Sequence, residues 1–135
     1  MLNNKEKYEH WLKVAEDDLD SAEFMFNGGR YSYLTFMCQQ AIEKLAKGIY
    51  VYTFDEEAKY THNINLILAK IDSIETHSEY DNYKTFFNEL FMYYTAGRYD
   101  VYKEKIVKSL DKSTSENILK NTKEAFLWLK SQVKL

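Results

Sequence analysis

Proline is absent from all 135 residues of this chain and glycine occurs only four times, so the backbone is offered few places to stop. Proline interrupts a helix by removing a donor, and glycine is a common residue just past a helix end. Between these scarce breaks the chain is rich in Leu, Ala, Lys and Glu, which favour helix. The expectation is an all-α fold, an up-and-down helical bundle of four to five helices. With 45% hydrophobic residues the chain can bury one core and is too short for two ordinary domains, so a single helical domain over residues 1–135 is expected.

Apolar spacing places the helices. Tyr8, Trp11, Leu12, Ala15, Leu19, Ala22 and Phe26 recur every three or four residues and predict a first helix over 5–26, with Lys13, Glu16, Asp17, Asp20 and Glu23 on its wet face. That acidic group reads as a solvated face rather than a metal site, because no His or Cys is spaced with it. Asn27-Gly28-Gly29 is a helix stop. A second helix is expected over 31–52, with Leu34, Cys38, Ala41, Ile42, Leu45 and Ile49 inward. Residues 54–60 read as a polar loop. Ile64, Ile67, Leu68, Ile71 and Ile74 predict one further helix over 63–75, capped by Thr61 or Asn63. A fourth helix is expected over 81–96, and a last one over 114–133, introduced by Ser113 and Glu116 at capping-box spacing.

Charge and composition narrow the function. Eighteen basic against 21 acidic side chains give a net charge of -3, which offers no broad attraction to a phosphate backbone. No apolar run approaches the roughly 20 residues that span a bilayer, and no apolar signal-peptide core follows the N-terminus, so a cytoplasmic protein is expected. The lone cysteine, Cys38, lies among apolar helix positions and reads as a small buried residue. The 22 aromatic residues, 12 of them Tyr, exceed what a small monomer core requires. The fourth helix, with Tyr83, Phe86, Phe87, Leu90, Phe91 and Tyr94, is therefore expected to serve a homodimer or partner interface, with aromatic core packing as the alternative.

Three polar signatures stand out from this apolar background: Gln39-Gln40-Ala41-Ile42-Glu43-Lys44, Thr61-His62-Asn63 and Arg98-Tyr99-Asp100. Gln40, Glu43, Lys44 and Lys47 share a helix stripe. A water-facing surface accounts for them, with Glu43 and Lys47 in the favourable i,i+4 order. His62 stands at a helix entrance, where backbone amides attract anions. A phosphate contact and a bond to a loop carbonyl are both open to it. Arg98 is one of only two arginines, the other basic residues being lysines. Its planar fork suits bidentate recognition of a carboxylate or phosphate, or equally an ion pair with Asp100 or Glu43. His10 and His77 have no recognisable partner.

These signatures, with Ala15 to Ala22, the run Gln39 to Lys47, and Lys123 to Lys130, resemble in order and spacing the prokaryotic HEPN domain, a higher-eukaryote and prokaryote nucleotide-binding domain. The resemblance covers nearly the whole chain and implies an up-and-down bundle that forms a homodimer. One class in that family comprises metal-independent ribonucleases, often toxins or phage-defence proteins, with an Arg followed by four to six residues and then a His. There the arginine stabilises phosphorane-like charge and the histidine acts as acid or base. This chain departs from that pattern: Lys103, Glu104 and Lys105 stand where the His would fall after Arg98, and Arg30 lacks such a His as well. Lysine at its ordinary pKa is a poor base at pH 7.

The other class is non-catalytic or of unknown activity and is commonly encoded beside a minimal nucleotidyltransferase. Its Arg-Tyr-Pro-Asp signature resembles Arg98-Tyr99-Asp100, with the proline missing here. By this resemblance Arg98 contacts a phosphate or the dimer seam, Tyr99 packs on the base or the partner, and Asp100 orients Arg98. Gln40, Glu43, Lys44, Lys47 and His62 complete the candidate nucleotide site, with no catalytic residue, metal or cofactor assigned. The expectation is a homodimeric, non-catalytic protein that binds a nucleotide or acts with a nucleotidyltransferase partner. The alternatives are a toxin-like or phage-defence ribonuclease acting on RNA through a diverged site, and a purely structural interaction module.

Overall fold

The computed structural model describes residues 1–96, 104–105 and 108–135. Six helices and no strand are found among the described residues: α1 (Asn4–Asn27), α2 (Tyr31–Phe54), α3 (Ile64–Leu68), α4 (Asp72–Glu75), α5 (Tyr80–Ala96) and α6 (Lys112–Ser131). The all-α helical bundle read from the sequence is the fold.

Local chemistry sets the ends of the long helices. The Asn3 side chain accepts from the Glu6 amide at 2.8 Å while the Asn3 amide donates to Glu6 Oε1, closing a capping box at the start of α1. After α1 the chain reverses through Gly29, whose φ of 70° is the left-handed conformation that glycine adopts without a Cβ penalty. Asp55 ends α2 with a φ of 54°, a backbone state that the short Asp side chain tolerates better than most.

Two sequence expectations about element ends are corrected. The cap of α6 is Asp111, which accepts from the Thr114 amide at 2.7 Å, and not the Ser113 and Glu116 box. That backbone bond also holds the Asp111 carboxyl below its ordinary value. The single helix expected over 63–75 is instead two short pieces, broken where Ile71 turns extended at φ -100° and ψ 99°. Helices this short gain little from propagation, and isoleucine is a middling helix former, so packing decides the path. All five of Ile64, Ile67, Leu68, Ile71 and Ile74 remain buried across the break.

α2 is the central element, packed against α1, α3, α5 and α6. Its pairing with α1 is antiparallel: Asn4 Nδ2 donates to the Tyr52 carbonyl, Trp11 lies against Gly48, and Lys44 pairs with Asp18. α6 returns along α1, with Lys123 bonded to Glu23 and Lys130 3.7 Å from Glu16. The core gathers the inward stripes expected of these helices, including Tyr8, Ala15, Leu34, Leu45, Leu119 and Leu129. Each large apolar side chain fully buried this way contributes about 1.5–3 kcal/mol.

Most of the aromatic arc of α5 goes into this core. Phe86, Phe87, Leu90 and Tyr94 are buried, and Tyr80 and Tyr83 stack against Trp128 of α6. α3 is clamped to α5 by Asn65, which donates through Nδ2 to the Lys84 carbonyl and Asn88 Oδ1 and accepts from the Tyr80 hydroxyl at 2.7 Å. No helix among the described residues is long and apolar enough to cross a membrane.

Candidate functional site

Because α2 advances one turn about every four residues, Gln39, Glu43 and Lys47 fall one above another on the same face. That face meets the loop between α2 and α3. Gln39 Nε2 donates to the His62 carbonyl at 2.6 Å, and Glu43 Oε1 receives His62 Nδ1 at 3.0 Å. The second Glu43 oxygen accepts from Lys47 Nζ at 2.9 Å. The Glu43 side chain is 3% exposed, against 16% for Lys47 and 24% for His62. A carboxylate is thus withdrawn from water, while the imidazole and the ammonium that satisfy it keep an outer edge in solvent.

The outer nitrogen of the imidazole is also engaged. His62 Nε2 stands 2.9 Å from the Tyr60 hydroxyl, giving the order carboxylate, imidazole, phenol. An ionised Glu43 can only accept, so Nδ1 carries a proton. Nε2 then accepts from the phenol in neutral imidazole, or donates to it in imidazolium. The Tyr60 and His62 ring centres lie 5.1 Å apart with the rings at 74° to each other, and Lys47 Nζ stands 6.0 Å from the Tyr60 ring centre. His62 also packs against Tyr94 near the end of α5, and Tyr94 stacks on Phe36 of α2.

The site residues expected from the sequence therefore divide. Glu43, Lys47 and His62 converge. Lys44 turns towards α1 and pairs with Asp18 at 2.6 Å, and Gln40 is half-buried on α2. Arg98, Tyr99 and Asp100 lie outside the described residues. The expectation of a water-facing stripe on α2 is corrected: Glu43 is buried and Gln40, Lys44 and Lys47 are half-buried, since a central helix has neighbours on nearly every side. Among the described residues the His62 ring bonds neither a loop carbonyl nor the amides at the start of α3; it is used by Glu43 and Tyr60.

Gln39 and Tyr60 were not among the expected site residues. Gln39 stands four residues before Glu43, a spacing that could have marked it, whereas Tyr60 carried no signal beyond its place two residues before His62. Gln39 Oε1 is buried without a hydrogen-bond partner among the described residues. Cys38, next to Gln39, is fully buried, and burial pushes its thiol up to about 12 against slight opposition from Thr122 and Lys123. It behaves as the small apolar residue expected. Among the described residues no three His, Cys, Asp or Glu side chains are gathered to hold a metal ion.

The helices, the loop held on α2 and the order of polar signatures belong to one pattern along the chain. A family model described as HEPN domain matches residues 8–132. No curated protein and no solved structure matches the chain. A match that runs from the first turns of α1 to the end of α6 spans nearly every element described above, and the chain belongs to the HEPN domain family.

Proposed function

We propose that this protein is a non-catalytic HEPN domain that binds a nucleotide beside the Glu43, Lys47 and His62 cluster and acts, as a homodimer, with a minimal nucleotidyltransferase partner. The observation that carries this reading is the buried Glu43 carboxylate held between Lys47 and His62, both of which reach solvent. Buried ion pairs contribute little net stability, so their worth lies more in fixing a geometry. Here the geometry fixed is that of a loop carrying an exposed Tyr60 and a part-exposed imidazole.

In this reading Arg98 contacts the phosphate, Tyr99 packs on the base and Asp100 orients Arg98. Arg98 follows Ala96, the last residue of α5, by two positions in the chain, and Tyr94 on that helix packs on His62. A second reading, RNA cleavage through a diverged site, draws on His62 itself, because an imidazole backed by a carboxylate is an ordinary acid or base. RNA cleavage that is lost in both Arg98→Ala and His62→Ala would favour it.

The test of the first reading is thermal unfolding against nucleoside mono-, di- and triphosphates, repeated with Arg98→Ala. Ligand at about 100 times its Kd stabilises by roughly 2.7 kcal/mol, a rise of several degrees for a domain of this size. The expected result is a rise that Arg98→Ala abolishes. No rise with any nucleotide rejects the reading.

A further inference from the structure

A groove of about 320 Å³ lies between the last turns of α2, the loop and α3, and Glu43 does not line it. Its walls are Tyr50, Leu66 and Ile67, and its rim carries Tyr60, Lys59 and Lys70. The volume is at the small end of ligand pockets, enough for one mononucleotide and too little for a dinucleotide.

Three properties of the lining point the same way. Tyr60 is 87% exposed, yet it is not loose: its hydroxyl is bonded to His62 Nε2 and its ring packs T-shaped with the imidazole. An exposed aromatic ring fixed from behind is a stacking platform whose ordering cost has been met before any ligand arrives. Leu66, 57% exposed, adds apolar surface on the α3 side. Lys59 and Lys70 are exposed, and neither is in an ion pair among the described residues. The lining contains no carboxylate, and the nearby Glu57 accepts instead from Trp11 Nε1. Two unneutralised ammonium groups beside a ring and a strip of aliphatic surface complement a flat aromatic body that carries an anionic group.

We infer that this groove is the seat of a nucleoside monophosphate, with the base stacked on Tyr60 over Leu66 and the phosphate between Lys59 and Lys70. The identity of the ligand class rests on the nucleotide reading above; the place does not. In this arrangement Glu43 and His62 do not touch the ligand. They are positioning residues that hold Tyr60.

Amide chemical-shift mapping on the isotope-labelled full chain tests the inference, with adenosine 5′-monophosphate and inorganic phosphate as probes. The monophosphate is expected to shift the amides of residues 59–61 and 66–70. Lys70→Gln weakens its binding roughly tenfold through the lost charge-assisted contact. Tyr60→Ala, at an exposed position, weakens it by a similar roughly tenfold factor, while Tyr60→Phe, which keeps the ring but loses the hydroxyl bond to His62 that fixes it, weakens it by less than Tyr60→Ala. Inorganic phosphate, which cannot stack, binds at least about tenfold more weakly than the monophosphate.

Shifts confined to residues 39–47 and the end of α5 overturn the groove and leave the nucleotide reading standing. Equal affinity for phosphate and monophosphate also overturns it, because the ring then contributes nothing. Shifts in the groove that persist in Arg98→Ala uphold it and remove Arg98 from the site. No shift anywhere removes the groove and the nucleotide reading together.

Discussion

Glu43 shows how one side chain can be both a cost and a fixture. Its carboxylate is withdrawn from water, and two of the contacts that hold the 58–63 loop on α2 pass through it or through Gln39 one turn away. Glu43→Ala removes the acceptor for two nitrogen donors at once. Full loss of one partner in a buried ion pair costs about 3–5 kcal/mol. Lys47 and His62 can turn their charged ends to the solvent they already touch, which brings the expected loss nearer about 2 kcal/mol. Glu43→Gln keeps an acceptor oxygen and should lose less. Urea unfolding of the two variants checks the order, and equal loss in both would show that charge rather than hydrogen bonding holds the loop.

At the scale of elements the controlling feature is the contact between α1 and α2 at Gly48. A Cβ added there would stand 2.8 Å from Trp11 Cβ and 3.3 Å from Tyr8 Cδ1. Alanine is the better helix former by about 1 kcal/mol, so on propensity alone Gly48→Ala would stabilise. The close atom is Trp11 Cβ, which cannot swing aside without moving the α1 backbone, and overpacking of this kind costs about 1–3 kcal/mol. The clash wins, and Gly48→Ala is expected to lower the denaturation midpoint; a raised midpoint would mean that α1 shifts without cost. The long helices were legible because they obey local rules: the break at Gly28-Gly29 and the apolar stripes of α1, α2 and α6 need no knowledge of neighbours. The split of the third helix at Ile71 was not, because the same five apolar residues are buried with or without continuity. Nor was the cap of α6, where the Ser113 and Glu116 spacing points to one start and the structure uses Asp111. The site was half legible for a related reason. Glu43, Lys47 and His62 could be singled out by type, but the bonds from Gln39 and Glu43 to His62 join residues 23 and 19 apart and depend on how the loop folds back.

Across the whole molecule the burial of three weak acids makes stability depend on alkaline pH. Cys38 on α2, Tyr8 on α1 and Tyr80 on α5 are buried, and burial pushes each up to about 12 from ordinary values of 9.0 for the thiol and 10.0 for the phenols. Glu16 adds to the effect at Tyr8, and Glu75 and Asp81 add to it at Tyr80. The Tyr80 hydroxyl donates to Asn65 Oδ1, a bond that needs its proton. Below pH 9.0 all three are protonated in both folded and unfolded chains, so their contribution is complete and constant. Above it the unfolded chain releases the Cys38 proton first and the tyrosine protons from about pH 10, while the folded chain keeps them until about 12. The unfolded state then binds fewer protons, and stability falls as pH rises. Cys38 alone contributes a slope of about 1.4 kcal/mol per pH unit once its unfolded thiol is ionised. The urea midpoint should therefore be level up to pH 9.0 and decline through pH 11, with the tyrosines steepening the fall. In Cys38→Ala the decline should begin about one pH unit later, at the ordinary phenol value of 10.0. A midpoint that stays level to pH 11 would show that these groups ionise in place, and that the core around α2 admits more water than its packing implies.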